Sequence, residues 1–375
     1  MKGVLADRPV TVIGAGVAGL TAAVALARRG AVVTVLERSD GIREVGAGLQ
    51  ISPNAMRVVE ALDLGPALRD VSLRSRAVQL RDASGAPVLR LDLRRHRPMD
   101  DFRLIHRAGL IALLERAARD AGARIALGRN VEVPPQGPLV IGADGLHSQV
   151  RRVLNGREVP FFTRNTAWRA VIRDPGGAPE AQVFMGPRRH LVSYPLTGGL
   201  RNIVAVQERD AWQAEGWSHP DDPAQLRAAF ASFGGPVPGW LGEVESVHIW
   251  GLFRHQVARC WQDGRLVLIG DAAHPTLPFM AQGAVMAIED AWILAACLDE
   301  NPDQKSALAR FETLRKPRAS RVVAAANDNA RNYHLTGARR VAAHAALRLA
   351  NRLAPDRMLA RFDWLYDYDP TAGSA

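Results

Sequence analysis

Residues 9–19 read Pro9-Val10-Thr11-Val12-Ile13-Gly14-Ala15-Gly16-Val17-Ala18-Gly19, and this stretch decides the fold. The apolar run Pro9–Ile13 has the length of a buried strand, and an Ala/Leu-rich helical pattern follows it to Arg29. Val32 to Leu36 reads as a second strand, so the unit is strand–turn–helix–strand of the nucleotide-binding type. Gly14 makes the tight turn, Gly16 lets a diphosphate approach the backbone, and Gly19 allows close helix–strand packing. The diphosphate would sit on the helix N-terminus, where free N–H groups and the helix dipole favour negative charge. Glu37 closes the second strand, 18 residues past Gly19, where a carboxylate can hydrogen-bond a ribose hydroxyl. Alone, this turn says only dinucleotide.

A second block lies far along the chain. Arg265-Leu266-Val267-Leu268-Ile269-Gly270-Asp271-Ala272-Ala273-His274-Pro275 is a buried-strand pattern ending in a glycine turn and a carboxylate. An acidic side chain there suits a polyol such as the ribityl chain of FAD, because it accepts hydrogen bonds from hydroxyls. Pro278 follows, and then Gly283-Ala284 at the start of a helix. Backbone N–H groups at that helix start can face the pyrimidine edge of a flavin and stabilise negative charge on the reduced ring. A plain NAD enzyme has no use for this block, so the chain reads as FAD-binding.

Between these blocks two textures alternate. Ser52-Pro53-Asn54 is a helix start, with serine as cap, leading to about Leu62. From Val71 to Leu93 short apolar/polar alternations flank Ala83-Ser84-Gly85 as in a hairpin. Helical periodicity runs from Arg107 to Ala121. A strand is expected near Ile125–Val133 and another over Pro138–Gly142, the latter running into Ala143-Asp144-Gly145. Residues 161–249 are strand-like, with a surface helix around Pro223–Phe233, and the chain is mostly helical from Gly283 to Leu353. The expected architecture is α/β and two-lobed. A discontinuous Rossmann-like FAD-binding domain takes residues 1–71, 102–157 and 251–325, and an antiparallel β-sheet substrate domain takes 72–101 and 158–250. Residues 326–375 form a C-terminal helical segment.

Three motifs, taken in order, carry a resemblance. They are the glycine turn with Glu37-Arg38, the segment Ile141-Gly142-Ala143-Asp144-Gly145-Leu146-His147-Ser148, and Gly270-Asp271 through Gln282-Gly283. Val45-Gly46-Ala47-Gly48 to Asn54, Arg107 at its helix start, and Arg189-His190 to Tyr194-Pro195 match as well. The chain resembles the group A flavoprotein aromatic hydroxylases, which include p-hydroxybenzoate, salicylate, 3-hydroxybenzoate and 6-hydroxynicotinate hydroxylases, over nearly its whole length. The resemblance implies a p-hydroxybenzoate hydroxylase-like fold and a single-component monooxygenase consuming NAD(P)H and O2. Reduced flavin and O2 would give a C4a-hydroperoxide whose distal oxygen passes to an electron-rich ring. It also implies that Arg38 and Arg107 contact the phosphate and ribityl side of FAD and that Ala47 belongs to the cofactor segment. Val131 would offer backbone near the adenine, Asp271 would hold the ribityl and diphosphate region, and Asp144-Gly145 would help place FAD and a transient NADH or NADPH. Relatives usually carry a longer β-meander where this chain has only Pro134-Pro135-Gln136-Gly137, a departure that trims the adenine end.

For its own share of the chemistry the protein must shield the reacting centre from water, hold the ring and deprotonate the phenol. The catalytic candidates are His190, Tyr194 and Gln282, which also bind substrate. His190 and Tyr194 lie four apart on one strand and so share a face. In relatives a histidine at this place orients or deprotonates the phenol. The plainer alternatives are a sheet histidine bonded to a backbone carbonyl, an ordinary half-buried tyrosine, and a helix-capping glutamine. Gln50 sits where some relatives place a histidine, and Arg169 is either a carboxylate attractor or a solvated arginine. His274 is expected to pack near the diphosphate without a chemical role.

Composition bounds the rest. The net charge of +10 comes almost wholly from arginine, since lysine occurs only at Lys2, Lys305 and Lys316. The arginines are scattered rather than run together with aromatics, which argues against nucleic acid and for anionic small molecules. No apolar run reaches the roughly 18–20 residues of a membrane span, and a first strand starting near Arg8 is expected to leave no room for a cleavable signal peptide. Two cysteines make neither a disulfide framework nor a zinc motif, and no metal is called for, so a cytoplasmic setting is expected. Val341, Ala345, Leu349 and Leu353 form a stripe on the last long helix, read as a packing or homodimer surface, or less readily as a membrane-surface face. The expected partners are a small aromatic substrate and O2. A larger polycyclic or quinone-type substrate, or a flavin-binding protein without turnover, are the competing readings.

Overall fold

The computed structural model describes residues 3–42, 48–174, 176–212 and 218–373. The Pro9–Ile13 run forms the middle of a five-stranded parallel sheet, in the order Leu266–Leu268, Val140–Gly142, Pro9–Ile13, Val32–Leu36, Arg124–Ala126. The strands Val140–Gly142 and Leu266–Leu268 are buried throughout, as expected of a parallel sheet covered on both faces. The helix Val17–Ala27 packs on one side of it, buried at every position from Val17 to Leu26. The helix Gly283–Glu300 lies against that helix and is buried from Val285 to Leu298.

The other lobe is an eight-stranded sheet in the order Ser218–Asp221, Val247–Arg254, Phe161–Arg173, Leu200–Glu208, Arg189–Leu196, Glu180–Gly186, Ala77–Asp82, Pro87–Asp92. All neighbours are antiparallel except Glu180–Gly186 beside Ala77–Asp82. A third sheet of Gly48–Ile51, Arg103–His106 and Ser72–Arg74 joins the lobes. Sheet membership therefore runs to Arg254, in the strand next to the Ser218–Asp221 edge, and leaves Ser72–Arg74 outside the large sheet. The helix Gln304–Tyr333 passes through residue 326 without a break.

Three local expectations are corrected. The strand read near Ile125–Val133 is only Arg124–Ala126; residues 127–139 follow without regular structure. Gly128 and Arg129 instead donate their N–H groups to Ser39 and Glu37. Ser52 stands at the N-cap of Pro53–Ala61 but makes no cap bond; its hydroxyl donates to Asn54 Oδ1 at 2.6 Å. Val341, Leu349 and Leu353 are exposed, and the packed side of the helix Gly337–Leu353 holds His344 and Leu347.

The cofactor lobe is pinned by buried charge. Glu289 and Asp290, adjacent on the apolar helix Gly283–Glu300, are both fully buried. Arg315 pairs with both, at 2.8 Å from Glu289 and 2.7 Å from Asp290, and Arg318 also reaches Glu289 at 2.7 Å. Asp290 further accepts from the Gly270 N–H at 2.9 Å and meets His274 Nε2 at 2.5 Å. Burial works to raise the Asp290 carboxyl, but His274, Arg315 and the Gly270 N–H outweigh it and hold it at about 2. Replacing Arg315 by alanine leaves two carboxylates buried without their shared counterion, a loss of about 3–5 kcal/mol. The expected result is a large fall in thermal midpoint measured by circular dichroism at neutral pH. The folded Asp290 value lies below its ordinary one, so its contribution is complete above pH 3.8 and is lost as pH falls through about 2.

Candidate active site

The strand order brings motifs far apart in sequence onto one edge. Asp271, Asp144, Gly14 and Glu37 follow the carboxyl ends of four strands that lie side by side, the place where open α/β sheets bind ligands. Gly14 has φ +101°, and a Cβ there would stand 2.5 Å from the Ala143 oxygen. A Cβ on Gly19 would run into the Gly14 carbonyl. Around Gly16 a Cβ would meet nothing within 4 Å. Two glycines thus permit close packing and the middle one leaves open a cradle at the N-terminus of Val17–Ala27, which fits the diphosphate of FAD.

Glu37 is fixed to that turn. Its carboxylate accepts from the Ala15 N–H at 2.8 Å and from the Ser39 N–H at 2.9 Å. Arg38 is exposed at the same edge, and the bond from Arg129 to the Glu37 carbonyl brings the half-buried Val131 alongside. Asp144 accepts from the Ser148 hydroxyl at 2.5 Å and from the Gln149 N–H at 2.7 Å, so it braces the start of Gln149–Asn155 beside the glycine turn. Burial raises its carboxyl above the usual range, with these bonds acting against the rise. Asp271 is exposed at the turn Gly270–Ala272, with protein packed around its backbone. That packing raises its carboxyl, while His274, Arg107 and Arg169 pull it down and Asp290 adds to the rise. Arg107 opens the helix Arg107–Asp120, whose first turn is capped by His106 Nδ1 accepting from the Ala108 N–H at 3.2 Å. Pro278 is exposed at the turn Pro278–Met280, and Gly283 and Ala284 are the first residues of the helix behind it. Ala47 lies outside the described residues.

The substrate candidates approach from the large sheet. His190, Val192 and Tyr194 alternate on one face of Arg189–Leu196, beside Val206 and Asn202 of the neighbouring strand. The His190 ring packs edge-on against Phe279, 5.1 Å between centroids, in the turn that leads to Gly283. Tyr194 lies against the backbone of Gly48, where a Cβ would stand 2.6 Å from its ring, and the Gly48 N–H donates to Asn202 Oδ1 at 2.7 Å. Burial pushes the Tyr194 hydroxyl up, with Arg169 pulling the other way. Arg169 is held over the Trp250 ring at 5.4 Å, and its charge also falls on Asp271. Among the candidates, Arg169, Tyr194 and Asp271 are therefore brought together.

His190 is not bonded to a backbone carbonyl. Its Nδ1 lies 2.7 Å from His334 Nε2, and His334 Nδ1 lies 2.8 Å from Glu208. Burial, and then the neighbouring His334, lower the His190 imidazole well below its usual range, which keeps it neutral at working pH. Gln282 stands at the N-cap of Gly283–Glu300 without capping it. Its amide donates to Ser52 Oγ at 3.1 Å and accepts from Asn54 at 3.3 Å, and Asn54 continues to Glu289 at 2.6 Å. Gln50 and Gln282 line a small cavity of about 30 Å³ with Phe102, Leu104 and Tyr366. His334, Glu208, Ser52 and Asn54 were not anticipated as parts of the site. Nothing in the sequence marks His334, whereas Asn54 could have been inferred once a buried acid was placed opposite it.

The cradle gives a direct test. Valine at Gly16 fills it and alanine at Gly19 displaces Gly14, each at an overpacking cost of about 1–3 kcal/mol. Flavin retention, read as bound flavin absorbance per protein after gel filtration, should fall about tenfold or more in both. Asp271→Ala should also weaken retention, through the ribityl side rather than the diphosphate.

Comparison with known proteins agrees with this geometry. The family model described as "FAD binding domain" matches residues 7–139 and 136–326. The 3-amino-4-hydroxybenzoate 2-monooxygenase of Streptomyces platensis is 35% identical, covering 98% of each chain. The 3-hydroxybenzoate 6-hydroxylase of Polaromonas naphthalenivorans is 32% identical over 97% of each. The 6-hydroxynicotinate 3-monooxygenase of Bordetella bronchiseptica is 31% identical over 85% of this chain and 91% of its own. In fold, the chain is similar to a salicylate hydroxylase substrate complex, with TM-score 0.82 and 24% identity over 98% of this chain and 97% of that one. From the glycine cradle, the Asp271 strand end and these relatives together, the chain belongs to the FAD-dependent aromatic monooxygenases, flavoproteins that use NAD(P)H and O2 on small aromatic substrates.

Proposed function

We propose that this monooxygenase hydroxylates a small phenolic acid, with an amino-hydroxybenzoate such as 3-amino-4-hydroxybenzoate as the first choice and 3-hydroxybenzoate and 6-hydroxynicotinate as the next. The observation that carries the reading is His190, a buried neutral imidazole on the sheet face opposite the turn at Phe279. A neutral imidazole there can take the phenolic proton and make the ring electron-rich. Bound FAD, once reduced, supplies the activation of O2; everything else falls to the chain. Arg169 faces the substrate carboxylate, Tyr194 walls the ring, and Gln282 with Gln50 contacts ring substituents. Gly16, Glu37 and Asp271 hold the diphosphate, the ribose and the ribityl chain of FAD, with Arg38, Arg107, Val131, Asp144, Pro278, Gly283 and Ala284 around it.

The relatives' substrates support a phenolic acid over a larger ring system. A cytoplasmic setting is supported by the two free thiols, Cys260 and Cys297. Among the described residues no helix is long and apolar enough to cross a membrane. The exposed Val341, Leu349 and Leu353 support a homodimer formed on the last long helix.

The test is NAD(P)H consumption and product analysis with the FAD-loaded protein and the three acids. The proposal predicts ring-hydroxylated product with at least one of them, and it is lost if none speeds flavin reduction or yields product. His190→Ala should lower coupled hydroxylation by about 10²–10⁴-fold at unchanged flavin content. Unchanged yield would remove His190 from the reaction.

A further inference from the structure

We propose that His190, His334 and Glu208 form a proton relay that carries the phenolic proton from the buried substrate side of the sheet to a surface groove on its far end. The inference rests on the reading of His190 as the substrate base.

The hydrogen-bond roles follow from the outer end inward. An ionised carboxylate only accepts, so Glu208 Oε1 at 2.8 Å requires the hydrogen of His334 to be on Nδ1. Neutral His334 then carries its lone pair on Nε2, and that nitrogen can only accept from His190 Nδ1 at 2.7 Å. Neutral His190 is left with its lone pair on Nε2. The chain thus dictates the tautomer that a base needs, without any contact to the substrate itself.

The two ends differ in access. His190 is 1% exposed, the His334 side chain 3%, and the Glu208 side chain 33%. Glu208 and His334 line a surface groove of about 500 Å³. A proton delivered to Glu208 therefore reaches water, while one left on His190 would stay buried. The groups facing the relay are Tyr333, packed on the His190 ring at 5.2 Å, and Arg188, which donates to Glu208 at 3.0 Å with Asp210 behind it. Arg164, Arg209, Arg254 and Arg331 also line the groove. Lowered His190 and His334 values, both caused first by burial, keep either ring from trapping it.

The transfer balances. The phenol O–H bond breaks as H–Nε2 of His190 forms, and the His190 Nδ1–H passes to His334 Nε2. The His334 Nδ1–H passes to the Glu208 carboxylate, which loses it to water. When the product phenolate is reprotonated from His190 Nε2, the same path runs inward and restores both tautomers.

The experiment uses the FAD-loaded protein and 4-hydroxy-3-nitrobenzoate, a phenolic acid that changes colour on ionisation. At a pH below the ionisation of the free probe, stopped-flow mixing follows phenolate formation, and an indicator dye in weak buffer follows the released proton. The relay predicts that Glu208→Gln slows both signals tenfold or more, that Glu208→Asp restores them, and that His334→Gln matches Glu208→Gln. Affinity for the fully ionised probe at high pH should be unchanged in all three. Wild-type rates in Glu208→Gln and His334→Gln, with His190→Asn slow, would overturn the relay and leave His190 as base. A wild-type rate in His190→Asn would overturn the base and the relay with it. Glu208 sits at the surface end, so its variants keep the test open even where His334→Gln does not fold.

Discussion

The buried pairing of Glu289 and Asp290 with Arg315 and Arg318 is the interaction on which the arrangement of the site depends. Two adjacent acids in the middle of an apolar helix would be ruinous without cations, because burying an unpaired charge costs far more than any single packing contact returns. Each acid also has a second duty. Asp290 accepts the Gly270 N–H and holds His274, and so fixes the strand end that carries Asp271. Glu289 accepts from Asn54, which in turn contacts Gln282. One cluster therefore fixes both the strand end at Asp271 and the start of the helix Gly283–Glu300. Arg318 is covered by the Tyr368 ring at 3.7 Å and donates to the Trp364 and Leu365 carbonyls, so the C-terminal turns close the cluster from outside.

The large sheet plays a different part. It presents one face to the cofactor lobe, meeting it at Phe279 and Gly48. His190, Tyr194 and Arg169 all lie on it, because period-two alternation puts every second residue of adjacent strands on the same side. The opposite face is covered by Trp168, Phe184, Phe230 and Phe233, which makes the sheet a rigid wall. Contact between the lobes is close at Gly48, where Tyr194 leaves no room for a side chain.

Much of this was legible in the sequence. The glycine turn, the second block at Gly270-Asp271 and the Asp144 segment each sit at a strand end, and each announced itself by local pattern. Their convergence was not written locally, since only the strand order makes neighbours of Gly14, Asp144 and Asp271. The strand expected to Val133 failed for a related reason. Residues 127–133 are alternating enough to resemble a strand, but Gly128 and Arg129 spend their N–H groups on Ser39 and Glu37 instead of a ladder. Of the two readings of the C-terminal stripe, packing surface or oligomer surface, the packed one fails, because the helix turns its other side inward, where Leu347 packs against Val88, Val183 and Met185. An acid pair inside an apolar run was a signal in plain view. Buried acids demand partners, and Arg315 with Arg318, three apart on the next helix, had the spacing to supply them.

His334 is the instructive case. It is separated from His190 by 144 residues, near the end of a helix 30 residues long, with nothing around it that suggests chemistry. What gives it meaning is that a histidine base needs its other nitrogen committed as a donor. A backbone carbonyl could have done that, and was the simpler expectation. A carbonyl would fix the tautomer but end the path there, because it cannot pass a proton on. A second imidazole fixes the same tautomer and continues the path, since it can accept on one nitrogen and release from the other. Choosing histidine over a carbonyl as the partner of His190 is thus the difference between orienting a base and draining it.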